Sequence, residues 1–167
     1  MAMKEKTLDD LFTDTLKDIY YAENKILKAL PKMAKAAQSE ELKGAFEKHL
    51  KQTEGQVKRL DKVFRLIDTA PKGKKCEAIE GIIEEGSEIM KEFKGAPALD
   101  AGLISSAQAV EHYEMARYGT LKRWAEQMGM DEAASLLDET LTEEKDTDES
   151  LTELADSMIN QQAEAAE

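Results

Sequence analysis

Apolar residues recur at spacings of three and four along nearly the whole chain, the period of one buried face of an α-helix. Five helical segments follow. The first spans roughly residues 8–38, with a seam of Leu8, Phe12, Leu16, Ile19, Glu23, Ile26/Leu27, Leu30, Ala34 and Ala37. Thr7 and Asp10 have the spacing of a capping box, with Asp in place of Glu. Pro31 should kink this helix, because it lacks a backbone donor and crowds the preceding turn. Ser39 is placed to cap the second helix, roughly 40–67, whose seam is Leu42, Ala45/Phe46, His49, Thr53, Gln56/Val57, Leu60, Val63/Phe64 and Ile67. "DTAPKGKK" at 68–75 reads as a linker. A shorter helix, about 76–94, carries Ile79, Ile82/Ile83, Gly86, Ile89/Met90 and Phe93, and "GAP" at 95–97 ends it. The fourth, about 98–128, has Leu103/Ile104, Ala107, Glu111, Glu114/Met115, Tyr118, Leu121 and Ala125, with Gly129 suited to a left-handed cap. The fifth, about 131–160, has Leu137, Leu141, Glu144, Asp148, Leu151, Ala155 and Met158, and residues 161–167 read as a frayed polar tail.

Four helices of about thirty residues each span about 40 Å at 1.5 Å per residue. The connections after the first and fourth are short, so each makes an antiparallel hairpin. A long connection holding the short helix joins the hairpins. The expected fold is therefore all-α: a ferritin-like four-helix bundle with an extra helix in its crossover, in one domain over residues 1–167.

Composition narrows the partners. The chain has 35 acidic and 23 basic residues, a net charge of −12, which disfavours nucleic acid and anionic membrane. The hydrophobic fraction of 41% beside 35% charged residues suits amphipathic helices with charged outer faces. Cys76 is the single cysteine, and "MAMKEKTLDDLF" has no apolar leader segment. Both fit a reducing, cytoplasmic setting.

The informative feature is polar. Each long seam is interrupted near its middle: by Glu23, by His49 with Thr53 and Gln56, by Glu111 with Glu114, and by Glu144 with Asp148. A carboxylate sealed in a bundle without a partner costs several kcal/mol or takes up a proton. Five on three seams point to one shared site, and an oxygen-rich cluster suits iron or manganese, as one ion or two. Counted from the turn near Gly129, Glu114 is level with Glu144 and Glu111 with Asp148. Glu23 is level with Gln56 and Thr53, whereas His49 lies roughly 9 Å nearer its own turn by helical rise. A paired-metal bundle takes Glu-x-x-His on two helices. Here those places hold Thr53-x-x-Gln56 and Glu144-x-x-Thr147, so the site is an altered version. The metal candidates are Glu23, Glu111, Glu114, Glu144 and Asp148, with His49 and Gln56 behind them. His112 and Thr53 are candidates to support the ligands by hydrogen bonds. Glu80 and Glu84 read as solvated, Cys76 as a small buried hydrophobe, and Tyr118 as the tyrosine nearest the carboxylates.

The stretches "DIYYAENKILKALPKMAKAAQSEELKGAFEKHL", "KCEAIEGIIEEGSEI", "VEHYEMARYGTLKRWAEQMG" and "LLDETLTEEKDTDESLTELA" resemble the YciF/YciE family of ferritin-like bacterial stress proteins. The resemblance covers nearly the whole chain. It implies a rubrerythrin-like bundle, a homodimer and induction under osmotic or related stress, with no established enzymatic activity. Carried over by motif, it singles out Glu23 in "YYAE", Glu111 and Glu114 in "EHYE", and Glu144 in "EEKDTD" as metal candidates, while the second-helix stretch "KHLKQTEGQ" varies and here holds Glu54. Two functional expectations stand side by side. One is a stress-response metal protein that handles oxygen or peroxide, its small-molecule substrate unnamed. The other is a non-enzymatic structural or interaction protein whose polar seam sets helix register or dimer geometry. Iron storage is a third and needs a cage of many subunits.

Overall fold

The structure is a computed structural model describing residues 5–165. All regular structure among the described residues is helical. Helix α1 spans Leu8–Ala36, α2 Glu40–Leu66, α3 Glu77–Glu92, α4 Leu99–Gln127 and α5 Asp131–Leu154. A π turn at Ala155–Ile159 follows α5 and leads into a last short helix, α6, at Asn160–Glu164. The backbone thus stays helical past the expected end near residue 160, and residues 166–167 of the expected tail lie outside the described residues.

The local signals act as their chemistry requires. The Thr7 hydroxyl accepts from the Asp10 N–H at 3.3 Å, and the Asp10 carboxylate accepts from the Thr7 N–H at 3.0 Å, completing the capping box. Ser39 Oγ accepts from the Leu42 N–H at 3.3 Å. Gly129 takes φ = +71°, the left-handed conformation that lets α4 turn back into α5. Pro31 lies inside α1, and the helix runs through it unbroken.

One buried acid fixes the relation of the two hairpins. Asp100, in the first turn of α4, accepts from the Gln38 and Ser39 N–H groups at 2.8 and 2.7 Å. The α1–α2 turn and the start of α4 therefore share one end of the bundle. Helix α1 runs towards that end, α2 and α4 run away from it, and α5 returns, so the long crossover connects two like-directed helices, as a ferritin-like bundle requires. Helix α1 packs against α2 and α4, and α2 against α5, which leaves α2 and α4 diagonal. Arg59 of α2 clamps α5, pairing with Glu143 at 2.6 Å and Glu139 at 3.1 Å. Helix α3 lies outside, against α4 and α1, and buries only Ile79 and Gly86 of its own residues.

The π turn shifts the end of the fifth seam. Buried positions there are Leu151, Ala155 and Ile159, where the 3.6-residue period predicted Met158. The Asn160 N–H bonds to the Ala155 carbonyl, five residues back, so one residue is absorbed without turning the apolar face away from the bundle.

Candidate metal centre

The seam interruptions meet in the middle of the bundle. Glu23, Thr53, Gln56, Glu114 and Glu144 are fully buried, and His49 and Glu111 nearly so. One ligand atom from each of His49, Glu111, Glu114 and Glu144 lies within 4.8 Å of all the others. Two ligands bound at about 2.1 Å to one ion are at most about 4.2 Å apart. Small rotations of the side chains would close the set on an ion.

His49 enters this set although the level count placed it away from the site. Its Nε2 is 3.1 Å from Glu111 Oε1. The count compared His49 with Glu23, across the α1–α2 hairpin. Glu111 sits one turn beyond Glu114 on the diagonal helix, and that turn brings it to the height of His49. The cluster therefore has two storeys. Glu23 belongs to the other one: its Oε1 accepts from the Tyr118 hydroxyl, and its carboxyl is near enough to Glu114 for the two to share a hydrogen bond. Glu114 and Glu144 face both storeys.

The remaining predicted residues stand around this core. Asp148 is held by His112, whose Nε2 lies 3.1 Å from Oδ2, and His112 itself is largely exposed. Asp148 Oδ1 is buried without a hydrogen-bond partner among the described residues, and the Asp148 charge still bears on Glu111. Gln56 donates through Nε2 to Glu143 at 3.0 Å, leaving its Oε1 buried and unpartnered. Glu143, which the seam pattern passed over, thus fixes the amide; the clue available in sequence is Arg59, one turn beyond Gln56. Thr53 spends its hydroxyl on the His49 carbonyl at 2.9 Å, so it ties the backbone of α2 and leaves the imidazole free. Glu54 is exposed, as is Glu84. Glu80 is half-buried and bridges helices, accepting from the Tyr21 hydroxyl and pairing with Lys25 at 2.9 Å. Cys76 is buried, caps α3 through Sγ and touches the Tyr113 hydroxyl at 2.9 Å. Burial pushes its thiol up.

Electrostatics show the strain of bringing these groups together. Burial, then the charge of Glu144, pushes the Glu23 carboxyl from 4.5 up to about 8. Glu111 and Glu114 are driven well above the ordinary carboxylate range, first by burial and then by Glu144. Burial also pushes Glu144 up, but hydrogen bonds from the Glu114 and Glu111 carboxyls, with His49 nearby, outweigh it and hold Glu144 below its ordinary value. Burial lowers His49. The directions favour Glu144 as the anion of the set and the protonated forms of Glu23, Glu111 and Glu114 beside it. Both oxygens of Glu114 and of Glu144, together with Glu111 Oε2, Glu23 Oε2 and His49 Nδ1, have no donor or acceptor partner apart from one another. Opposing carboxylate oxygens with no other donor nearby are satisfied by a shared proton or by a cation. A set of carboxylates with one imidazole fits a divalent iron or manganese ion.

Nearly the whole chain matches known proteins. The family model of a domain of unknown function, DUF892, matches residues 7–164. Protein YciF of Escherichia coli K12 is 47% identical over 163 residues, which cover 97% of this chain and 98% of that protein. This chain belongs to the DUF892 family, the family of YciF. The crystal structure of the E. coli stress protein YciF superimposes with a TM-score of 0.89 at 46% identity, over 93% of this chain and 99% of that one. YcfI from Rhodopseudomonas palustris superimposes with a TM-score of 0.86 at 44% identity, over 91% of this chain and 97% of that one. A Xanthomonas campestris protein at 21% identity and a TM-score of 0.74 shares the DUF892 fold. No described helix is long and apolar enough to cross a membrane.

Proposed function

We propose that this protein is a stress-response metal protein that binds iron or manganese between His49, Glu111, Glu114 and Glu144. The observation that carries the reading is the convergence of these four buried groups within 4.8 Å, with carboxylate oxygens that have no other partner. Glu114 and Glu144 also interact with Glu23, so a second ion, if taken up, would be held by Glu23 with these two carboxylates. The protein's own contribution is a buried, pre-assembled set of ligands in which Tyr118 orients Glu23 and His112 orients Asp148. An ion binds only as Glu111 and Glu114 release their protons, so affinity rises with pH. Oxygen or peroxide chemistry at such a centre is part of the proposal.

The test is metal content and binding. Protein loaded anaerobically with ferrous iron or manganese, then desalted, should retain at least one ion per chain and give anomalous scattering at the four-residue cluster. Glu114→Ala should abolish retention. Metal-free protein after loading, with no difference between wild type and Glu114→Ala, would overturn the reading.

A second reading has its own support. Proton-sharing carboxyls satisfy one another without a cation, and the R. palustris relative is described as a proposed structural protein. On this reading the seam sets helix register. Glu111→Gln and Glu114→Gln, which imitate the protonated acids, should then leave the metal-free fold as stable as wild type or more so, and metal salts should not change its melting. Assembly as a homodimer is part of both proposals. Leu11 and Leu66 are large and exposed, and topology puts both at the same end of the bundle, so that end is where a second copy would be sought. The mass in solution measures it.

A further inference from the structure

A cavity of about 210 Å³ lies between α1 and α3 and reaches the proposed metal centre. Its cause is the way α3 packs. A methyl group at Gly86 would lie 3.4 Å from Ser106 Cβ, and one at Gly102 would lie 2.7 Å from Ile89 Cγ2. These small residues let α3 approach α4 closely. On its other side α3 bears on α1 mainly through the Glu80 bridge to Tyr21 and Lys25, and a wedge stays open. The walls are apolar, with Ile26, Leu30, Met33, Phe46, Ile83 and Met90 prominent among them. The floor is formed by His49, Glu111 and Ser106, each carrying a buried polar atom without a hydrogen-bond partner among the described residues. The rim on α1 carries Lys25, Lys28 and Lys32. Glu80 neutralises Lys25 at 2.9 Å. Lys28 and Lys32, one turn apart and exposed, have no anionic partner among the described residues.

We propose that this cavity binds a medium-chain aliphatic carboxylate, with its anionic head at Lys28 and Lys32 and its hydrocarbon tail against Leu30, Met33, Phe46, Ile83 and Met90. Apolar walls with few, convergent polar groups are the general form of a small-molecule site. A cavity of about 150 Å³ accommodates benzene, so this one suits a tail of roughly six to eight carbons. Two unpaired lysines on a protein of net charge −12 select an anion at the mouth. As a ligand class for the centre the proposal rests on the metal reading, whereas occupancy of the cavity stands apart from it.

Calorimetric titration of the full-length protein with octanoate, with and without manganese, tests it. The expected result is saturable binding of one octanoate per chain, with 1-octanol at least tenfold weaker. Lys28→Glu/Lys32→Glu should weaken octanoate at least tenfold and leave 1-octanol unchanged. Ala29→Phe plugs the mouth from α1 and should abolish both, with its circular dichroism and melting checked against wild type. Ile83→Trp plugs it from α3 and gives the same reading if Ala29→Phe does not fold. No saturation with octanoate, equal binding of 1-octanol, or undiminished octanoate binding in the charge-reversal or plug variants would overturn the proposal. Glu114→Ala separates the two readings: it should lose manganese and keep octanoate. Octanoate binding by a wild type that binds neither ferrous iron nor manganese sinks the metal reading and leaves the cavity assignment standing. Manganese binding without octanoate binding does the reverse.

Discussion

Glu23 shows how a single buried acid can link pH to stability. Its carboxyl stands at about 8 in the folded protein against an ordinary 4.5. Between those values the folded chain holds a proton that the unfolded chain has released. Stability contributed by that proton is complete below 4.5 and is lost as pH rises towards 8, with a slope of up to about 1.4 kcal/mol per pH unit for each proton held. Glu111 and Glu114 act in the same direction. His49 acts oppositely, because burial lowers it from 6.5, but above that value it is neutral in both states. Across the window from pH 6.5 to 8 the opposing contribution of His49 fades and the carboxyls increasingly set the slope. Urea unfolding of chelator-treated protein should show falling stability across that window, with a shallower fall in Glu23→Gln; parallel slopes would remove Glu23 as the cause. Tyr118 is the second residue to test. Its hydroxyl donates to Glu23 Oε1, and both side chains are fully buried. Tyr118→Phe leaves that oxygen unsatisfied and should cost about 1–3 kcal/mol in the same measurement.

At the scale of the element, Asp100 does more than its place in the sequence advertises. It looks like an ordinary acid in the first turn of a helix. Yet it is buried and takes two N–H groups of the α1–α2 turn, so one side chain docks the two hairpins. Asp100→Ala should destabilise by roughly 1.5–3 kcal/mol per lost charged hydrogen bond, an upper limit that relaxation of the turn reduces, and the shift of the urea midpoint measures it. The contrast between Asp100 and the seams shows where the sequence is readable. Seams such as Phe12–Leu16–Ile19–Glu23 lie along single helices, and a helical period reports them directly. Interruptions by Glu23, Glu111, Glu114 and Glu144 were readable for the same reason. Contacts between elements obey no such period. The meeting of His49 with Glu111 depends on heights across the diagonal of the bundle, whereas counting from a turn gives heights only within a hairpin. Met158 and Ile159 are both apolar, so nothing in the pattern marks the π turn that buries the second. The cavity beside α3 depends on how closely Gly86 and Gly102 let α3 approach α4, a distance that no spacing of residues encodes.

Across the whole molecule, the proposed ion and the crossover helix occupy opposite ends of a scale of local stability. The four ligands come from α2, α4 and α5, with α5 packed against both α2 and α4 in the middle of the bundle. An ion held there would stabilise every state in which the three remain together, by about 2.7 kcal/mol at a free concentration of 100 times the dissociation constant. Helix α3 supplies no ligand and fully buries only Ile79 and Gly86, fewer than any of the other four long helices, so it is the element expected to open first while the bundle and its ion persist. Hydrogen exchange followed by mass spectrometry should accordingly find α3 the least protected of the five long elements. Manganese should slow exchange in the central turns of α2, α4 and α5 and leave α3 unchanged, and Glu114→Ala should erase the slowing. Uniform slowing that includes α3 would mean that the metal acts on global unfolding alone. If α3 opens independently, its opening also uncovers the cavity that leads to His49 and Glu111, so its exchange rate sets an upper bound on how fast a bulky ligand reaches the centre by that route.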